Sequence, residues 1–118
     1  MTQRKTAYVI PFRELDLSRI PEVGGKNASL GEMLQHLDPL GVRVPDGFAL
    51  TGSAFRLHLR EAGIEDEIYG ALDRLDVRDV TALARTGAAI RESVRSARLP
   101  AVVVAEVERA YEKLSRES

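Results

Sequence analysis

The chain has 118 residues, of which 44% are apolar, 30% charged and 5% aromatic, with no tryptophan and no cysteine. Seventeen basic residues against 18 acidic ones leave a net charge of −1, which supplies neither the basic field that attracts nucleic acid nor an acidic tail. The composition also excludes a disulfide, a thiolate metal site and a thiol nucleophile, and it leaves too few aromatics for a base-stacking platform. The basic N-terminus "MTQRKTAYVI" lacks the apolar run of a signal peptide. No segment approaches the roughly 20 apolar residues of a membrane-spanning helix. The expectation is one small domain in the cytoplasm, with no nucleic-acid or membrane partner.

Along the chain, most glycines and prolines fall before about residue 52, and the remainder is rich in Ala, Leu, Arg and Glu. This divides the chain into a turn-rich part, 1–52, and a helical part, 53–118. "AYVIPF" is a short strand, expected near Tyr8 to Ile10, and Pro11 places it at an edge or marks its end. "LDLSRIPEV" is a connector with Leu15, Leu17 and Ile20 turned inward. "GGKNASLGEMLQHL" starts a helix with Asn27 or Ser29 as N-cap, and Ser29 with Glu32 fits the S-x-x-E capping box. Leu30, Met33, Leu34 and Leu37 form its core stripe, and "DPLG" ends it.

Next, Val42, Val44, Phe48 and Leu50 have strand chemistry around a Pro45-Asp46-Gly47 turn, with a short strand at Phe48 to Leu50. Four helices follow. Thr51 or Ser53 caps the first, Phe55, Leu59 and Ala62 line it, and Gly63 stops it. The second carries Ile64, Ile68, Ala71, Leu72 and Leu75. The third, capped by Asp79 or Thr81, carries Val80, Leu83, Gly87, Ile90, Val94 and Ala97. Pro100 suits the first turn of the last, whose face is Val103, Val107, Ala110 and Leu114. These faces are core rather than binding surface. The fold class is α+β and mainly helical, with two short strands beside the Lys26 helix and a helical bundle on them.

"VGGKNASLGEM" carries the chemistry. A helix start leaves backbone N–H groups unpaired and bears partial positive charge. Glycines just before it admit close backbone approach and positive φ, and a lysine adds a mobile charge. Gly24, Gly25 and Lys26 therefore have the composition of a phosphate grip, although the spacing is neither a Walker A nor a G-x-G-x-x-G loop. On the residues alone, a tight turn with a solvated lysine is the favoured reading. Elsewhere, His36 and His58 have no partner at metal spacing, so neither is a metal ligand, and no catalytic residue is assigned. Arg56, Arg60 and Glu61 form a solvated face. Arg91, Arg95 and Arg98 lie near one side of a helix, either solvated or facing an anion. Asp46 forms a turn.

"VGGKNASLGEM" followed by "GVRVPDGFALT" closely resembles the opening of the phosphoenolpyruvate synthase (pyruvate, water dikinase) branch of the pyruvate-phosphate-dikinase-type family. A looser likeness runs through "AFRLHL", "IYGALDRLDVRDVTALARTGAAIRE" and "AYEKLS", covering nearly the whole chain. The resemblance implies the N-terminal portion of an ATP-grasp-like domain that binds MgATP, with Lys26 on the ATP phosphates beside Gly24 and Gly25. It also implies further domains as partners: one carries a phosphorylated histidine, and another passes the phosphoryl group to pyruvate, with AMP and phosphate as the other products. The family's "VRSS" arginine segment and its magnesium carboxylates are expected beyond Ser118, so the chain alone is expected to be inactive. A rifampicin phosphotransferase-like enzyme and a free-standing, non-catalytic binding module are the alternatives. Apolar surface exposed by the missing part would support a dimer.

Overall fold

A computed structural model describes residues 7–117, so residues 1–6, part of the segment read above as no signal peptide, lie outside the described residues. The chain forms two compact units: one holds the residues up to Phe55 together with those from Ala101 onward, and the other is Arg56–Pro100.

In the first unit, strand β1 (Val9–Pro11) pairs antiparallel with β2 (Phe48–Leu50), in the register Val9 to Leu50, Ile10 to Ala49 and Pro11 to Phe48. The first strand thus sits one residue later than expected. Pro11 ends it, where its missing N–H costs nothing, and Phe12 N–H resumes the pairing by donating to Gly47 O at 2.9 Å. Val42 and Val44 join no strand, because three-residue β1 offers partners only to Phe48–Leu50.

The connector is wound rather than extended. A 3-10 turn, Phe12–Glu14, is followed by another, Leu17–Arg19, capped by Asp16, and then by the four-residue helix α1 (Ile20–Val23). Winding corrects the expected inward trio. Leu15 is fully buried, whereas Leu17 and Ile20 are about half exposed, since successive positions no longer alternate between two faces.

Helix α2 (Gly25–Leu37) begins earlier than expected, with Gly24 at the N-cap and no side-chain cap. Asn27 and Ser29 therefore lie inside the helix and the Ser29–Glu32 capping box does not form. The buried row is Ala28, Gly31 and Leu34. Of the expected stripe only Leu34 is fully buried, and Met33 is 43% exposed. The helix rests on the connector's main chain at Gly31, so Ala28, Gly31 and Leu34 face inward while Met33 sits to the side. A 3-10 turn, Asp38–Leu40, closes α2 on Gly41 at φ 83°.

Ile10, Leu15, Val23, Ala28 and Ala49 form the core of this unit, with Phe12 packed against it. Each large side chain buried here contributes about 1.5–3 kcal/mol.

Helix α3 (Gly52–Glu61) starts in this unit and runs into the second. Buried Thr51 serves both neighbours: its hydroxyl donates to Ala7 O at 2.8 Å and accepts from Ala54 N–H at 3.2 Å, capping α3. In α3 the buried residues are Ala54, His58 and Leu59; Phe55, expected inside, is half exposed.

In the second unit, Gly63 at φ 72° ends α3, and α4 (Glu65–Arg74) opens with Glu65, Asp66 and Glu67, which suit the positive end of its dipole. Asp79 caps α5 (Val80–Ser96) by accepting from Ala82 N–H at 3.1 Å. Ile68 of α4 is buried, but α5 has no buried residue.

Helix α6 (Ala101–Glu117) returns to the first unit and packs against β1, with Val103 buried. Helices α4 and α5 thus belong to the second unit and α6 to the first. Among the described residues, no helix is long and apolar enough to cross a membrane.

Candidate functional site

The chain passes from α1 to α2 through a single residue, Gly24. Its N–H donates to Ile20 O at 2.8 Å, closing α1, and its carbonyl accepts from Ala28 N–H at 3.1 Å, opening α2. Gly24 lies at φ 84°, ψ 165°, a region open essentially only to glycine. The fold therefore explains Gly24. It does not explain Gly25, which is helical, has no positive φ, and would meet nothing within 4 Å if it carried a Cβ.

The backbone N–H groups of Gly25, Lys26 and Asn27, the first three of α2, have no acceptor within their own helix, as at any helix start. These donors stand at the positive end of a 13-residue helix. Lys26 is exposed and forms no ion pair among the described residues. The nearest acid in sequence, Glu22, is held by Arg19 through two contacts, Nε at 2.8 Å and Nη2 at 3.0 Å. That pairing raises the Arg19 pKa and leaves the lysine uncompensated. The structure thus sets Gly24, Gly25 and Lys26 together as an open, cationic turn at a helix start. Among the described residues no group of acids or histidines is placed to hold a metal ion, and a cationic helix start suits an anion.

Three residues that sequence reasoning did not assign to the site hold this turn in place. Asn27 Nδ2 donates to Val23 O at 2.9 Å, and Gln35 Nε2 donates to Leu15 O. Gly31 lets α2 lie directly on the connector: a Cβ there would sit 2.5 Å from Leu15 Cβ, 2.6 Å from Leu15 O and 2.8 Å from Phe12 O. The available signal was a glycine inside a helical pattern with no turn to serve.

The second motif supports the same unit. Asp46 is the expected turn former, accepting from Gly47 N–H at 2.8 Å and from Arg13 Nε at 3.0 Å. Arg13 also reaches Asp38 at 3.5 Å, and its pKa is raised chiefly by the hydrogen bond to Asp46. A cleft of about 90 Å³ beside this network includes Arg13, Asp46 and Lys113. A second, of about 250 Å³, lies between α4 and α5. Neither is lined by residues 24–26.

The remaining candidates are dispersed. His36 is exposed, 3.8 Å from Glu32. His58 is buried, with Nε2 donating to Val94 O at 3.0 Å in the last turn of α5 and Nδ1 unpartnered. Arg95 pairs with Glu92 on its own helix, while Arg91 and Arg98 are exposed.

Residues 20–118 match the family described as pyruvate phosphate dikinase, AMP/ATP-binding domain. The chain is 50% identical over 101 residues to a phosphoenolpyruvate synthase of Deinococcus radiodurans, covering 86% of this chain and 13% of that protein. It is 48% identical over 108 residues to the phosphoenolpyruvate synthase of Pseudomonas aeruginosa (92% and 14%) and 47% identical over 107 residues to that of Neisseria meningitidis (91% and 14%). The chain therefore spans only about an eighth to a seventh of the length of these relatives.

Proposed function

Because the chain belongs to the pyruvate phosphate dikinase AMP/ATP-binding domain family, we propose that it is the first part of the nucleotide-binding domain of a phosphoenolpyruvate synthase, and that Gly24, Gly25 and Lys26 grip the phosphates of ATP. The parent protein would convert pyruvate, ATP and water to phosphoenolpyruvate, AMP and phosphate through a phosphohistidine on another domain. The similarity to proteins named phosphoenolpyruvate synthase favours this reading over a rifampicin phosphotransferase or a free-standing binding module. The turn-rich part, 1–52, and the helical part, 53–118, would together form one segment of an ATP-grasp-like domain in the cytoplasm.

The observation that carries the reading is the turn itself: a helix start whose first backbone N–H groups have no acceptor within their own helix, a lysine with no ion pair among the described residues, and open space in front of Gly24 and Gly25. Gly25 admits the phosphate oxygens to the backbone. The N–H groups of Gly25 to Asn27 hold them, and the Lys26 ammonium offsets their charge. ATP supplies the phosphoryl group when bound. Electrostatic stabilisation of that group is the main protein contribution in such chemistry. Among the described residues no group of acids is placed to hold a metal ion, so the metal that accompanies ATP would be held by other parts of the parent.

In the parent protein, Lys26→Ala should slow the first phosphoryl transfer more than tenfold, equivalent to about 1.4 kcal/mol or more. Because Lys26 is exposed and has no ion pair among the described residues, stability should change by no more than about 0.5 kcal/mol. Single-turnover labelling of the histidine with γ- or β-labelled ATP measures the first effect and a thermal melt the second. An unchanged transfer rate would remove Lys26 from the site.

A further inference from the structure

We propose that Gly31, with Gln35, is a positioning residue: it sets where the Gly24–Lys26 turn stands by letting α2 rest on main-chain atoms rather than on side chains. Asn27, Gly31 and Gln35 recur every four residues and so form one row along the helix. Each member of the row engages backbone. Asn27 donates to Val23 O, Gln35 donates to Leu15 O, and Gly31 lies against the carbonyls of Leu15 and Phe12.

These carbonyls cannot give way easily. Phe12 O already accepts from Leu15 N–H at 3.0 Å, which closes the 3-10 turn, and Leu15 is fully buried in the core. A methyl group at position 31 must therefore move the helix, not its neighbour. Carbon atoms pack at about 3.5–4.0 Å, so relieving the 2.5 Å approach to Leu15 Cβ displaces α2 by about 1 Å. Position 31 lies less than two helical turns from Gly25, so the turn moves with it. A misplacement of about 1 Å at a reacting group can cost up to about a hundredfold in rate.

The functional side of this inference rests on the proposed ATP grip; the placement of the turn does not. The test uses the 118-residue chain, ¹⁵N-labelled, first free and then titrated with ATP. In Gly31→Ala the amide resonances of Gly24 to Asn27 should shift before any nucleotide is added, while those of Arg56–Pro100 stay in place. The apparent affinity for ATP should fall at least tenfold. Gln35→Ala removes the bond to Leu15 O without adding bulk; it should move the same resonances less and weaken ATP about threefold. Met33→Ala, on the exposed side of α2, should change neither.

A role in stability alone would lower the melting temperature of Gly31→Ala but leave the folded resonances of residues 24–27 where they are, and that result overturns the proposal. If Gly31→Ala does not fold, Gln35→Ala decides by the same criterion. If the wild-type turn fails to respond to ATP in the parent protein as well, the nucleotide reading falls, and the nucleotide-free shifts still decide the placement.

Discussion

Alanine at Gly25 and alanine at Gly24 should have opposite effects on stability and the same effect on nucleotide binding. Gly25 is the first residue of α2, with helical geometry and nothing within 4 Å of a Cβ. Alanine there narrows the unfolded ensemble without native strain and should stabilise by about 0.4–1 kcal/mol. For a chain of this size, that raises the melting temperature by about 2–6 °C. Gly24, at φ 84° and ψ 165°, lies where a Cβ is strained, and alanine there should cost about 1–3 kcal/mol. If phosphate oxygens meet the backbone at this turn, both methyl groups obstruct them. Losing one hydrogen bond to a charged group is worth about 1.5–3 kcal/mol, or at least about tenfold in affinity. Differential scanning calorimetry and an ATP titration of the two variants in the parent protein measure both quantities. A Gly25→Ala protein that is destabilised would refute the helical geometry assigned to position 25. One that is stabilised but binds ATP as well as wild type would refute close backbone approach.

Three further outcomes are expected. Removing His58 with His58→Ala deletes the Nε2 bond to Val94 O and leaves a cavity, so Arg56–Pro100 should lose about 2 kcal/mol or more, seen as faster hydrogen exchange in α5. The Ser18 hydroxyl and then its N–H hold the Asp16 carboxyl below its usual range, so its contribution to stability is intact above the ordinary aspartate range and is lost as pH falls through the lowered value. Melts between about pH 6 and about pH 2 should show that increment disappearing in wild type and absent throughout in Asp16→Ala. The 118-residue chain alone should form no phosphoenolpyruvate from ATP and pyruvate, and detectable product in a coupled assay would place the catalytic parts within these residues.

Local signals carried far along this chain. Gly63, Asp79 and Thr51 act where their residue types predict, as a helix stop and two caps, because each role needs only the neighbouring backbone. The strand at Phe48 to Leu50 and the four later helices were legible for the same reason. The α2 start was misplaced because Gly24 supplies the boundary through its backbone, which leaves no capping side chain to recognise. Leu17 and Ile20 were misassigned because the connector is wound, so their apolar character met no core.

The sequence by itself determined the family through two motifs in order and determined that a lysine follows two glycines at a helix start. The first rests on the resemblance of those motifs to a known family, the second on residue types and spacing alone. Only the tertiary structure decided which glycine the fold needs. Gly24 is required by its dihedral angles, Gly31 by the carbonyls beneath it, and Gly25 by neither. That distinction depends on what lies within a few ångströms of each Cα, and the contacts that set it reach back from α2 to Phe12 and Leu15, where no local pattern points.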